Sequence, residues 1–137
     1  MRSYILALVI LGIVYFIHIS GISGWYVWYP WLDIVAHGLA GIGIGFFVLG
    51  LMRSLIPKIK RPGLYVILGV LAFGLAWELF EIFYDIAKYP LWTRLYFLDT
   101  AKDLFMDLVG GSLVAWFLSF LRSADWQRES RVLPPIS

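Results

Sequence analysis

Four long apolar segments dominate this sequence and limit what it can fold into. They cover residues 4–19, 33–56, 63–88 and 99–121. A helix needs about 20 residues to cross the roughly 30 Å of hydrocarbon in a bilayer, so the last three segments are long enough and the first is marginal. The pattern predicts an all-α fold, an integral membrane four-helix bundle that makes a multi-pass protein of the cell membrane.

The composition agrees with a membrane protein and leaves little room for a second domain. Hydrophobic residues make up 61% of the 137 residues and charged residues 15%, whereas soluble domains carry about 25% charged residues. A soluble chain this short could not bury so much apolar surface. We therefore expect one transmembrane domain over residues 1–121, followed by a cytoplasmic tail at 122–137. The sequence contains no cysteine, which excludes disulfides and thiolate metal sites. No feature of the sequence supports nucleic-acid binding.

The first segment has two interpretations. With Arg2 as its charged start, it could be a signal peptide. No Ala-x-Ala cleavage site follows it, because the next residues are His18, Ile19, Ser20 and Gly21. We expect it to be retained as a membrane span.

The distribution of lysine and arginine predicts the orientation of the bundle. Cytoplasmic loops carry an excess of these residues. If the N-terminus is cytoplasmic, eight of the 11 basic residues lie inside and three lie outside, namely Lys88, Arg94 and Lys102. The opposite orientation reverses this ratio, so both the N- and C-termini are expected to be cytoplasmic.

Acidic residues inside the apolar segments are the feature that most needs a physical reason. A carboxylate loses its hydration in hydrocarbon, which is costly. Seven of the nine carboxylates nevertheless lie in these segments or within a turn of them: Asp33, Glu78, Glu81, Asp85, Asp99, Asp103 and Asp107. With the predicted orientation and a rise of about 1.5 Å per residue, all of them fall in the outer half of the bilayer.

The spacing of the acids places them on single helix faces. Asp33 and His37 are four residues apart, and the third and fourth segments carry acids at intervals of three or four residues. Residues at such intervals share one face of a helix. Three such faces turned inward would form one polar pocket. Small residues would let the helices approach each other: Gly38, Gly41 and Gly45 on the second segment, and Gly110, Gly111 and Ser112 on the fourth.

Neighbouring carboxylates cannot all stay ionised without compensation. The sequence suggests few basic partners, since Lys102 is offset from Asp103 around the helix and Lys88 and Arg94 belong to the outer loop. Protonation, water or a divalent cation would then compensate. Oxygen ligands with an imidazole suit Mg²⁺, Mn²⁺, Ca²⁺, Zn²⁺ or iron. The predicted ligands of this divalent metal ion are Asp33, His37, Glu78, Glu81, Asp103 and Asp107.

Simpler explanations apply to some of the polar residues. Asp33 and Asp99 stand at predicted helix starts, where a carboxylate can cap free N–H groups. Asp85 lies near an interface and can be solvated. His18, at the end of the first segment, is typical of an interfacial residue.

Three short motifs, in order along the chain, resemble those of a known family. They are Asp33-x-x-x-His37-Gly38-x-x-Gly41, Trp77-Glu78-x-x-Glu81, and Asp99-Thr100-x-x-Asp103-x-x-x-Asp107-x-x-Gly110-Gly111. The family is the YjdF-like family of small bacterial and archaeal membrane proteins, and the similarity to the VanZ-like group is looser. The first resemblance implies a small membrane protein with no settled biochemical activity. The second implies a link to glycopeptide resistance and the cell envelope.

The convergence of acids favours a metal-dependent site that acts on a membrane lipid or an envelope precursor. In this hypothesis the bound cation polarises a phosphoryl or acyl oxygen and activates water, and Glu81 acts as the general base.

Two alternatives stay open. Carboxylates and histidine also form proton relays, which would suit a proton- or cation-coupled transporter or channel subunit. Four helices are few for a carrier, so this alternative requires a homo-oligomer or a larger assembly. The other alternative is an accessory structural subunit of a membrane complex, in which the acids pair with basic residues of a partner.

Overall fold

The chain folds into a bundle of long helices. The structure, a computed structural model, describes the backbone of residues 2–56 and 59–132 and the side chains of residues 3–56 and 59–120. Its elements are α1 (Arg2–Ser20), a π-helical segment (Gly21–Trp25), α2 (Tyr26–Trp28), α3 (Trp31–Leu55), α4 (Pro62–Tyr84) and α5 (Arg94–Val132). Lys58 of the basic loop, the side chains of the basic residues beyond 120, and residues 133–137 of the predicted tail lie outside the described residues.

Four stretches of helix are long and apolar enough to cross a membrane. They are Ser3–Trp28, Trp31–Leu55, Pro62–Tyr84 and Arg94–Phe120. This confirms the predicted all-α bundle of four membrane-spanning helices. The first span is longer than predicted, because α1 runs on through the π-helical segment and α2. Gly24, at φ 120°, provides the bend in this segment, and glycine adopts such a φ without steric cost.

The helix ends that face the site also differ from the prediction, and local hydrogen bonds explain why. α4 ends at Tyr84, before the predicted residue 88, since Asp85 turns into the left-handed region at φ 53°. The N–H of Ile86 then donates to the carbonyl of Glu81 at 3.0 Å, as in a Schellman motif. α5 begins at Arg94, five residues before the prediction, because the Thr93 hydroxyl accepts the N–H of Tyr96 at 3.3 Å and caps the helix.

Helix α3 is the centre of the bundle. It packs against α1, α4 and α5, and α4 also packs against α5. The backbones of α3 and α5 come into direct contact: a Cβ on Gly41 would overlap the carbonyl of Asp107, and a Cβ on Gly110 would overlap the carbonyl of Gly38. The prediction that small residues allow this approach is confirmed for these glycines. Ser112, by contrast, is exposed, so its predicted place in the interface is wrong.

The bundle has an apolar end and a polar end. The apolar core joins the late turns of α3, the early turns of α4 and the middle of α5, and consists of Val48, Leu49, Val66, Val70, Val114 and Leu118. Because α3 and α5 start where α4 ends, their acidic residues gather at the opposite end. Among the side chains that the structure describes, the buried acids are Asp33, Glu78, Asp103 and Asp107. One end of the bundle is thus held by packing, and the other end depends on polar contacts.

The contact between α3 and α5 should tolerate no side chain at its glycines. Gly110→Ala is expected to lower the free energy of unfolding in detergent by about 1–3 kcal/mol, because the added methyl forces the two backbones apart. Gly12→Ala is the matched control, since a Cβ at Gly12 has nothing within 4 Å. Thermal unfolding followed by circular dichroism measures both variants. Equal stability of the two variants would contradict the close approach of α3 and α5.

The side of the membrane on which each loop lies stays a prediction, which chemical labelling can test. The chain has no cysteine, so single cysteines can be introduced without background. In intact cells, a maleimide that cannot cross the membrane should modify Pro90→Cys in the α4–α5 loop. It should leave Lys60→Cys in the α3–α4 loop unmodified until the cells are broken open. The reverse labelling pattern would place the termini outside.

Candidate functional site

The candidate site forms where the first turns of α3 face the first turns of α5. Asp33 and His37 project from one face of α3, because they are four residues apart. Asp99, Asp103 and Asp107 project in the same way from α5. Asp33, Asp103 and Asp107 retain only 8%, 5% and 3% of their solvent exposure. The predicted convergence of these side chains is therefore present on α3 and α5.

The imidazole of His37 lies at the centre of this group. Its Nε2 is 4.0 Å from Asp33 Oδ1 and 3.9 Å from Asp103 Oδ1. Its Nδ1 is 3.4 Å from Asp107 Oδ1. One edge of the ring thus faces two carboxylates, and the other edge faces a third that lies deeper in the bundle.

Two lysines neutralise part of the acidic cluster, and the prediction of few basic partners is wrong. Lys102 Nζ lies 2.6 Å from Asp99 Oδ1, 3.0 Å from Asp33 Oδ2 and 3.1 Å from Asp103 Oδ1. Lys88 Nζ, from the α4–α5 loop, lies 3.1 Å from Asp33 Oδ2 and 3.8 Å from Asp99 Oδ1. The long, flexible lysine side chain explains this result, because it bends round its own helix and reaches a neighbouring one.

The positive charge of the two lysines does not balance the cluster. Four aspartates, each −1 when ionised, face two lysines, each +1, so −4 + 2 leaves two negative charges if His37 is neutral. The imbalance is greatest at the deep end. Asp107 Oδ1 is buried, lies 3.4 Å from His37 Nδ1 and forms no ion pair with a lysine among the described residues. Because a buried carboxylate without a cation is costly, the cluster is suited to bind a further cation or proton.

Three residues of the cluster could hold a metal ion. One ligand atom from each of Asp33, His37 and Asp103 lies within 4.8 Å of the other two. Two carboxylate oxygens and an imidazole nitrogen are a donor set for divalent metals. A carboxylate beside the second nitrogen of a metal-binding histidine fixes the ring and its tautomer, and Asp107 stands in that position. This group could therefore hold a metal ion.

The two glutamates of α4 have partners of their own. Thr100 donates its hydroxyl hydrogen to Glu78 Oε2 at 2.6 Å. Trp77 Nε1 donates to Glu81 Oε1 at 2.9 Å. The structure places both glutamates at the polar end, but it does not group them with Asp33, His37 and Asp103 as ligands of one ion.

The simpler explanations are corrected for two of the acids. Asp33 is not a helix cap: Pro30 occupies that position in α3, and no side chain caps the helix. Asp99 lies five residues after the start of α5, so it cannot cap the first turn. Asp85 is exposed, in agreement with the solvated position expected for it.

A cavity of about 440 Å³ lies beside the cluster, between α1, α3 and α4. Its walls are mostly aliphatic and aromatic, but His37 and Asp107 form part of them. His18, expected at an interface, also lines the cavity, and its ring meets the edge of Trp77 at 5.0 Å between centroids. No pattern along a single helix predicts this cavity. Its only sequence signal is a set of small residues, among them Ala36, Ala40 and Gly74.

Comparison with known proteins supports the membrane assignment. The model of a family described as predicted membrane protein (DUF2238) matches residues 3–124 of this chain. This family is the YjdF-like family that the motifs resemble, and the match adds no support for the VanZ-like group. No significant match exists among the curated proteins or the solved structures that were compared.

Removal of the central lysine should destabilise the polar end. Lys102→Met is expected to lower the free energy of unfolding by about 1–3 kcal/mol, because charge-assisted hydrogen bonds to Asp99 and Asp33 are lost. Lys60→Met, in the exposed α3–α4 loop, is the matched control and should unfold like the parent. Thermal unfolding in detergent without divalent ions compares the two. If both variants unfold at the parent temperature, the ion pairs of Lys102 do not stabilise the fold.

Proposed function

We propose that this chain, which belongs to the DUF2238 family of predicted membrane proteins, binds a divalent metal ion and hydrolyses a membrane lipid or envelope precursor. The observation that carries the proposal is the juxtaposition of Asp33, His37 and Asp103 within a membrane-spanning bundle. The unbalanced negative charge of the buried carboxylates supports it, since a cation would relieve this charge. The four spans would bring this chemistry close to lipid, which supports a lipid substrate over a soluble one.

Each residue of the site then has a role. Asp33, His37 and Asp103 would hold the ion, which supplies an electrophile for a phosphoryl or acyl oxygen and an activated water when bound. Asp107 would orient His37 through Nδ1. The two lysines keep the outer carboxylates in place and offset part of their charge, which would favour the approach of an anionic headgroup.

Glu81 keeps its proposed role as the general base. Its carboxylate is half-buried on α4, and the hydrogen bond from Trp77 fixes its direction. Glu78 keeps its proposed role as a further ligand, for which its carboxylate would have to turn away from Thr100. Both glutamates belong to the same polar end as the three-residue group, and a movement of their side chains would have to bring them to the ion.

A second function is favoured by one specific feature, the continuous row of titratable groups. Lys88 contacts Asp33, Asp33 faces His37, and His37 faces Asp107 at the cavity wall. Such a row could pass protons between the outer end of the bundle and the cavity. A proton- or cation-coupled transporter of this kind would need an oligomer. Ion flux into liposomes that requires Asp103 would favour transport over hydrolysis.

The alternative of an accessory subunit is less well supported. It relied on a lack of internal counter-charges, and Lys88 and Lys102 supply part of them within the described residues. Assembly into a homo-oligomer or a larger membrane complex stays a prediction for either remaining function.

Metal binding provides the direct test. Protein purified in detergent and equilibrated with Mn²⁺ or Zn²⁺ should hold about one ion per chain, measured by elemental analysis after gel filtration. Asp103→Asn removes a charged ligand and should weaken binding at least tenfold. Asp107→Asn should weaken it about 10- to 100-fold by releasing the orientation of His37.

The control variant for metal binding is Asp85→Asn. Asp85 is an exposed acid at a helix end, and asparagine tolerates its left-handed backbone as well as aspartate does. This variant should bind the ion like the parent. If the parent binds no ion, or if Asp103→Asn binds as tightly as Asp85→Asn, the proposed metal site is wrong.

A further inference from the structure

The cavity is positioned to receive part of a molecule from the bilayer. It lies between α1 and α4, with α3 as its floor, and these three helices are membrane-spanning. Both α1 and α4 pack against α3, but over the described residues no extensive packing joins α1 to α4. The cavity is therefore a lateral cleft, and its apolar sides continue into the lipid-facing surfaces of the two helices.

The polar end of the cleft is closed by rings. His18 of α1 meets Trp77 of α4 at 5.0 Å, and Tyr26 approaches His18 at 6.4 Å between ring centroids. Below these rings the walls are apolar, with Leu11, Val14 and Phe73 among them. An occupant of the cleft would thus contact apolar walls over most of its length and polar side chains only near the rings.

A carboxylate from α5 forms part of the wall of this polar section. Asp107 lines the cavity although it belongs to α5, and it retains 3% of its exposure. The missing side chain of Gly74 makes this possible, since a Cβ there would lie 2.8 Å from Asp107 Oδ2. Asp107 Oδ1 lies 3.4 Å from His37 Nδ1, and Oδ2 lies on the side of Gly74. Oδ2 is therefore the oxygen to which a hydrogen-bond donor on an occupant could bond.

The volume of the cleft limits how wide its occupant can be. An α-helix with its side chains is about 10–12 Å wide and rises about 5.4 Å per turn, so a volume of about 440 Å³ holds only about one turn. A partner helix therefore could not insert along its length, whereas a single and much narrower hydrocarbon chain could. Within a bilayer, the molecules that supply such chains are lipids.

We propose that the cleft between α1 and α4 binds one hydrocarbon chain of a membrane lipid and that Asp107 accepts a hydrogen bond from a hydroxyl or amide group at the head of that chain. This inference deepens the proposed function by giving the substrate a class and a route, and it rests on that function for the reaction but not for the binding. The head of the chain would lie against the His37 ring, whose other edge faces Asp33 and Asp103. The lipid would thus enter sideways from the bilayer and reach the site without leaving hydrocarbon.

Photolabelling with a long-chain alcohol tests the route. The probe carries a diazirine in its chain, and the protein is used in phospholipid nanodiscs. Mass spectrometry should find the label on residues of α1, α3 and α4 that line the cleft. Ala76→Phe places a bulky ring in the cleft and should reduce this labelling at least fivefold. Ala101→Phe adds the same ring on exposed α5, outside the cleft, and should leave labelling unchanged.

Competition between two unlabelled lipids tests the role of Asp107. A long-chain alcohol should displace the probe about tenfold better than its methyl ether, because only the alcohol donates a hydrogen bond to the carboxylate. In Asp107→Asn this preference should shrink severalfold, while labelling of the cleft persists. An alcohol and an ether that compete equally well with the parent would overturn the assignment of Asp107.

The outcomes separate this inference from the proposed metal site. Asp103→Asn should lose metal but keep cleft labelling, and Ala76→Phe should lose labelling but keep metal. Label found outside the cleft, or unchanged labelling of Ala76→Phe, would overturn the lipid route whatever the metal result. A parent that binds no metal but labels as expected would overturn only the metal-dependent reaction.

Discussion

Every carboxylate that this bundle buries must find a cation or a donor inside the protein, because the surrounding hydrocarbon supplies neither. Lys102 meets much of this demand. Its ammonium lies 2.6 Å from Asp99 on its own helix and 3.0 Å from Asp33 on α3. Since one cation contacts carboxylates on two helices, it restricts the rotation of each helix about its axis. The position of His37, one turn from Asp33, follows from that restriction.

The ion pairs in turn depend on how closely α3 and α5 approach each other. Gly41 and Gly110 allow contact between the two backbones about one to two turns below the lysine. Membrane helices cannot rely on the hydrophobic effect to associate, so close backbone packing and polar contacts take its place. In this bundle both occur on the same pair of helices. The contact that builds the candidate site is therefore also a contact that builds the fold.

The sequence predicts the properties that depend on one helix at a time. Hydropathy predicts the four membrane spans. The spacing of Asp33 and His37 predicts that these two residues lie on the same face of α3. The start of α5 also had a local signal, because Thr93 is a good helix cap, although the prediction did not use it. The reach of Lys102 had no such signal. Its contact with Asp33 requires the distance between two helices and their relative rotation, which a pattern along one helix does not contain.

The same limit explains why the acids of α4 differ from those of α3 and α5. Glu78 and Glu81 share a face by spacing, yet each accepts a hydrogen bond from a different neighbour, Thr100 and Trp77. The contact with Trp77 is local, since Trp77 precedes Glu81 by four residues on the same helix. The contact with Thr100 depends on how α4 is rotated against α5. Sequence spacing predicts that the acids gather at one end of the bundle. It does not predict which of them lie close enough together to bind the same metal ion.

His37 is the point at which the charged and apolar parts of the bundle meet. Its Nε2 faces Asp33 and Asp103, and the ring also lines the apolar cleft. A polar bond of a lipid is otherwise hard to bring to a charged site, since either the lipid must enter water or the charge must enter hydrocarbon. A site with charge on one side of an imidazole and a hydrocarbon-lined space on the other avoids both costs. This placement is the strongest physical reason to look for the substrate among lipids.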